Sequence, residues 1–238
     1  MMSPGLLGLA ALATIAFPLS AFATEQGFFA GLDVSGGAAF GSSRTTNGGA
    51  PFAGGGVVGN VKLGEVVGVG GHVGYRFDPA MSAFISYQHS RGDIGWEANF
   101  PLYGVSSRFE GEAISNAILG NVAYEFPLSD ATSIRTTAGL GMTFNTLSQV
   151  VETDKPTGIF VADLANHTKI GAAAQVGLGL RHKIASNVVV GLDGLIAYAD
   201  GFETGNARSG NLGITDINPY RIDDVWRATL SASIKVDF

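Results

Sequence analysis

His89-Ser90 is the one place in this 238-residue chain where a histidine and a serine stand side by side. Hydrolysis by such a pair requires the imidazole to take the hydroxyl proton, so the two groups must touch. In an extended segment consecutive side chains point to opposite faces, which keeps these two apart. Arg91-Gly92-Asp93 follows directly and has the composition of an integrin ligand. A three-residue match arises by chance in roughly a few per cent of chains, so it is read as turn sequence. His72, His89, His167 and His182 lie on different segments without metal-ligand spacing, and with no cysteine there are no thiolate ligands or disulfides. Gly68-Val69-Gly70 and Gly139-Leu140-Gly141 imitate fragments of dinucleotide loops, yet no helix follows to receive a pyrophosphate. Asn166-His167-Thr168 fits a glycosylation sequon, which means little if the host is a bacterium. No catalytic residue, metal or cofactor is expected.

A second set of ionisable residues is more regular. Asp33, His72, Arg76, Glu125, Arg135, Lys169, Arg181, Lys183, Asp193, Arg227, Lys235 and Asp237 each occupy the polar parity of an alternating stretch. The C-terminal stretch shows the rule without exception. Trp226, Ala228, Leu230, Ala232, Ile234, Val236 and Phe238 share one parity, and Arg227, Thr229, Ser231, Ser233, Lys235 and Asp237 the other. A period of two is a strand with one apolar face. From Trp226 to Phe238 it runs roughly 40 Å at about 3.3 Å per residue. Tilted by about 35–45°, it crosses the core of a bilayer with an aromatic at each end.

Seven further strands follow the same rule from Phe28 onward. Short turns at Asp78-Pro79-Ala80, Pro127-Leu128-Ser129-Asp130 and Ala185-Ser186-Asn187 alternate with long connections over about 40–61, 91–107, 147–166 and 200–224. Strict alternation places all turns at one end and all loops at the other, as for periplasmic turns and extracellular loops. The expected fold is all-β, an eight-stranded antiparallel transmembrane barrel with short periplasmic turns and four long extracellular loops. Aromatics on the apolar parity then form two girdles. Phe28, Tyr75, Phe77, Tyr124, Phe126 and Phe238 fall near the turns, and Phe40, Tyr87, Phe144, Tyr198 and Trp226 near the loops.

Composition agrees. Hydrophobic residues make up 46% of the chain and charged residues only 14%, yet no run of about 18 apolar residues follows the N-terminus, which excludes a helical membrane protein. A soluble barrel with the apolar parity inside would need an outer face rich in Lys, Glu and Asp. Here the other parity is mostly small residues and glycine, suited to a crowded lumen. The net charge of −6 argues against nucleic acid as a partner. Leu6 to Leu19 is apolar and precedes Ala21-Phe22-Ala23, a cleavage signature, so 1–23 reads as a signal peptide and 24–238 as the barrel. Met1 to Gly5 lacks the usual Lys or Arg.

The segments Gly74-Tyr75-Arg76-Phe77-Asp78 to Tyr87 and Gly177-Leu178-Gly179-Leu180-Arg181 to Tyr198, with the terminal Phe238, carry a resemblance. On these the mature region resembles the outer-membrane family that includes the transmembrane domain of outer membrane protein A and the opacity-type surface proteins. The resemblance implies outer-membrane lipid and lipopolysaccharide as surroundings, and recognition of the strand ending at Phe238 by the barrel-assembly machinery. It also implies loops that meet the host surface. Because an eight-stranded barrel is just wide enough to be filled by side chains, the inward charges are expected to form an ion-pair plug. The alternatives are a narrow pore through the same residues and a lipid A-modifying hydrolase. The hydrolase family sets its His and Ser two residues apart on one face, a pattern that His89-Ser90 does not match.

Overall fold

A computed structural model describes residues 26–43, 46–47, 56–101 and 104–238. The expected signal peptide, 1–23, lies outside them. Eight long strands form the framework: β1 (Gly27–Ser42), β2 (Gly56–Arg76), β3 (Met81–Phe100), β4 (Val105–Pro127), β5 (Thr132–Asp154), β6 (His167–Ala185), β7 (Val188–Ala199) and β8 (Arg221–Asp237). Each pairs antiparallel with its neighbour in sequence, and β8 returns to pair with β1, closing the ring. No helix among the described residues is long and apolar enough to cross a membrane; the strands do so. The short turns fall where expected. Asp78 closes the first, its Oδ1 accepting from the backbone N–H groups of Ala80 at 2.8 Å and Met81 at 2.7 Å. Ser129 Oγ does the same for Thr132 at 3.1 Å.

Around the waist the apolar parity faces outward. Leu140, Leu32, Ile85 and Leu230 are all more than half exposed, a surface that only lipid can cover at low cost. The inward parity is built on a simple steric rule. A glycine on one strand lies directly across from a large inward side chain on the next: Asp33 against Gly70, His72 against Gly31, Phe84 against Gly74, Asn121 against Gly139, Asp193 against Gly179 and Arg181 against Gly191. The side chains lie over the space a Cβ would fill, so that a Cβ on Gly70 would stand 2.6 Å from Asp33 Oδ1. Many of the chain's 35 glycines are thus the holes into which lumenal side chains fit. Gly179→Ala is expected to push Asp193 aside and cost about 1–3 kcal/mol by overpacking. Gly36→Ala, whose Cβ would meet nothing within 4 Å, is expected to be neutral. Urea unfolding of both variants in phospholipid vesicles, followed by tryptophan fluorescence, checks the contrast.

Beyond the loop-side aromatics the ring continues, and the segments read as loops are largely strand. β3 runs on from Tyr87 to Phe100, so Arg91-Gly92-Asp93 is strand and not turn, in register with Ile114, Ala113 and Glu112 of β4. β5 extends to Asp154, and Phe160–Leu164 folds back along it, pairing Val150 with Leu164. In the fourth connection Gly201–Glu203 pairs with the start of β8, and Arg208–Gly210 pairs with Phe160–Leu164. The physical reason is an inversion of hydropathy at constant register. Within the membrane the odd positions of β3 (Met81, Ile85, Tyr87) are apolar and face outward. Above it the even positions (Ile94, Trp96, Ala98, Phe100) are apolar and buried inside, while Asp93, Glu97 and Asn99 take the outer face. The environment outside changes from lipid to water, so the apolar face moves within.

Bulges mark this junction. Register shifts occur on β2 near Asn60, on β5 at Gln149 and on β8 at Asp224, and these three residues have φ of 52°, 53° and 52°. An extra residue in the left-handed region turns the strand and sharpens its twist, which brings the extensions inward over the barrel mouth. The resulting cap has a core of its own. Trp96 and Phe109 stack at 5.2 Å, Phe109 meets Tyr220 at 4.7 Å, and Leu147, Val150, Phe202, Ile217, Ile222 and Val225 pack around them.

Candidate functional site

Below the cap the lumen holds the inward ionisable residues in three layers. At the turn end, Asp237 Oδ1 accepts from Arg76 at 2.8 Å and stands 3.4 Å from the ammonium of Lys235, whose charge also lies 5.0 Å from the centre of the Phe29 ring. Glu125 accepts from Ser133 at 3.0 Å. Next, Arg181 donates to both carboxylate oxygens of Asp193, each at 2.8 Å, with both side chains buried. Arg135 is turned over the Phe84 ring at 4.7 Å, and Asp33 faces His72 at 3.8 Å. At the loop end, Arg227 donates to Ser90 and to Ser115, the latter at 3.3 Å. Among the described residues, this column holds a cavity of about 50 Å³ beside Arg135 and one of about 20 Å³ beside Arg227. Neither is a continuous path.

Two residues of the predicted plug lie toward its ends. Lys169 pairs with Asp200 at 3.3 Å and is partly exposed at the junction with the cap. Lys183 is exposed at the turn-side mouth. Neutral polar residues do much of the joining that a list of charges overlooks. Asn121 donates to Ser86 at 2.9 Å and accepts from Gln175 at 2.6 Å, tying β3, β4 and β6 together. Asn145, fully buried, donates to the carbonyls of Ala199 at 3.0 Å and Gly201 at 2.8 Å and accepts from Ser115 at 2.6 Å. It thereby anchors the fourth connection over the mouth. These residues share the inward parity, and that parity was the signal available for them. Arg208 and Glu152 form a second buried pair at 2.8 Å, inside the cap, with Ser107 donating to the same carboxylate at 2.7 Å.

The strand geometry separates His89 from Ser90. His89 Nδ1 lies 2.9 Å from Asn116 Oδ1, an oxygen that also accepts from Tyr87, whereas Ser90 turns inward to Arg227. Arg91 pairs with Glu112 on the neighbouring strand. Among the described residues no group of His, Asp and Glu is arranged to hold a metal ion. Of the predicted girdle residues, Phe28 meets Tyr75 at 5.0 Å, Tyr75 meets Phe77 at 5.4 Å and Tyr124 meets Phe126 at 4.7 Å near the turns. Tyr198 meets Trp226 at 5.2 Å near the loops. Phe40, Tyr87 and Phe238 are exposed on the outer face.

On the cap's outer surface, Lys155 donates to Glu97 at 2.7 Å and Asn60 donates to the same oxygen at 2.6 Å. The hydrogen bond from Lys155, then that from Asn60, hold the Glu97 carboxyl below the usual carboxylate range. The contribution to stability is therefore present above the ordinary carboxylate pKa and is lost as pH falls through the lowered folded-state value. Lys155→Gln is expected to raise the Glu97 pKa, measured by carboxyl carbon NMR across an acid titration. An unmoved titration would show that the pair does not set it.

Residues 9–216 match the family model described as outer membrane protein beta-barrel domain. No curated protein matches the chain in sequence. Among solved structures, the outer membrane protein OprG from Pseudomonas aeruginosa aligns with a TM-score of 0.52 at 13% identity, covering 88% of this chain and 95% of that one. Neisserial surface protein A aligns with a TM-score of 0.49 at 14% identity, covering 89% and 97%. Ail, the attachment invasion locus protein of Yersinia pestis, solved with the heparin analogue sucrose octasulfate, aligns at 0.44 and 12% identity, covering 90% and 100%. At these identities the likeness to OprG is one of fold.

Proposed function

We propose the following role for a chain that belongs to the outer membrane protein β-barrel family: a non-catalytic barrel of the bacterial outer membrane that presents a rigid extracellular cap as a surface for interaction. The two aromatic bands sit at the headgroup levels of the bilayer and contact lipid and, on the outer leaflet, lipopolysaccharide. The strand ending at Phe238 is the segment offered to the barrel-assembly machinery. The lumenal residues act as a plug, joining strands rather than conducting ions. The observation that carries the reading is the buried apolar core of the cap around Trp96, Phe109 and Tyr220. A pore needs an open mouth, and such a core closes it; a binding surface needs preorganised elements, and such a core supplies them.

At the tip of the cap, Ile159, Phe160 and Leu212 are 64%, 41% and 61% exposed. Phe160 and Leu212 are held near one another because Asn211 donates to the carbonyl of Phe160 at 3.0 Å. Apolar side chains on an ordered, water-facing tip are suited to a protein or matrix partner on a host surface. Expressed in a non-adherent laboratory strain, the full chain is expected to confer adhesion to epithelial cells. The triple variant I159S/F160S/L212S, present in the outer membrane at equal level, is expected to lose it. Equal adhesion by the variant, or none by the parent, would remove the tip from this role.

A further inference from the structure

The cavity of about 50 Å³ in the middle of the lumen is lined by side chains whose hydrogen-bonding capacity is incompletely used. Arg135 is 4% exposed, and its Nε and Nη2 have no partner; the same holds for His72 Nε2 and Gln175 Oε1. Buried polar atoms of this kind find a partner in the cavity beside them. Of the two carboxylates in the wall, Asp193 is engaged by Arg181 through both oxygens, and Asp33, seated over Gly70, stands 3.8 Å from the imidazole of His72. Glu125, directly across from Arg135 in the sheet, accepts from Ser133 instead. Arg135 is thus a buried cation with no carboxylate at ion-pair distance among the described residues, which is costly unless a counter-charge is supplied.

We propose that this chamber is a binding site for a halide-sized inorganic anion, with the Arg135 guanidinium as its main ligand. At about 10–15 Å³ per water-sized occupant, the chamber admits one such ion with a few waters, and one of those waters serves Gln175 Oε1. Sulfate and phosphate, each with four oxygens, would take up most of it and leave little space for hydration. Entry is from the turn side. A vestibule of about 300 Å³ opens there with Arg76, Lys183 and Lys235 in its wall beside Glu125, Asp130 and Asp237, and Arg181 lines both it and the chamber. Above the chamber, the Ser115, Asn145 and Arg227 layer and the apolar cap close the column, so the site is a dead end rather than part of a conduit.

Crystals of the full chain soaked in sodium bromide, with data collected at the bromine absorption edge, test the proposal without a variant. An anomalous peak at hydrogen-bond distance from the Arg135 guanidinium is expected. Water alone at that position, or bromide only at the protein surface, would overturn it. In detergent micelles, chloride-35 NMR should show saturable line broadening by the wild-type protein that bromide abolishes and sulfate does not. The folded Arg135→Gln variant should broaden the line no more than buffer does, and broadening equal to wild type would count against the assignment.

Discussion

Asp193→Leu is expected to lower the folding free energy by about 3–5 kcal/mol, because it leaves Arg181 as a buried guanidinium without its partner. The magnitude follows from geometry. Arg181 gives two hydrogen bonds to Asp193 at 2.8 Å, and both side chains are largely withdrawn from bulk water, with 6% and 11% of their surface accessible. A surface pair of the same residues would be worth about 0–1 kcal/mol. The double variant Arg181→Met/Asp193→Leu is expected to recover most of the loss, since replacing a buried pair by apolar residues of similar volume is often neutral or better. Equilibrium unfolding in urea from phospholipid vesicles measures all three. A single variant as stable as the parent would mean that water reaches the pair and the lumen is not packed as described.

Trp96→Ala is expected to loosen the cap and leave the barrel standing. Trp96 is 1% exposed and stacks on Phe109 with an interplanar angle of 3°, so its removal opens a cavity worth about 3–5 kcal/mol. The cap has its own core, separated from the lipid-facing band by the layer of Ser115, Asn145 and Arg227, in which Thr143 also donates to Asn145 at 2.8 Å, and the loss should remain local. Limited proteolysis should cut the variant within 155–160 or 203–220, where the parent resists, while the heat-modifiable gel mobility that reports a folded barrel is unchanged. Simultaneous loss of both would show that cap and barrel fold as one unit.

The membrane-spanning half of the fold was legible because one rule, apolar outward at every second residue, holds from Phe28 to Phe238 wherever lipid is outside. The same rule hid the cap. Read from Tyr87 onward it meets His89, Arg91 and Asp93 on the expected apolar parity and reports a loop, although the strand continues with Ile94, Trp96 and Phe100 on the other face. A pattern with period two carries no label for inside or outside, so a change of solvent at constant register looks like the end of the strand. Gln149 and Asp224 added to this, since a bulge shifts the parity by one and no local residue type announces it. In the lumen, the inward charges were visible as polar exceptions on a parity of small residues. Their pairing was not, because Arg181 with Asp193 or Arg76 with Asp237 depends on strand register, which alternation leaves open. Asn121, Gln175 and Asn145 share the inward parity without standing out, since a neutral amide carries no signal until its burial and its partners are known.

The central claim is that the barrel is closed, by the ion-paired lumen around Arg181 and by the apolar cap above Asn145. Single-channel recording of the purified full chain in planar bilayers tests it most directly. A quiet baseline is predicted, without stable steps on either sign of potential, and the same trace is predicted after addition of the protein to either side. Stable openings of nanosiemens size would contradict it and make the protein a pore.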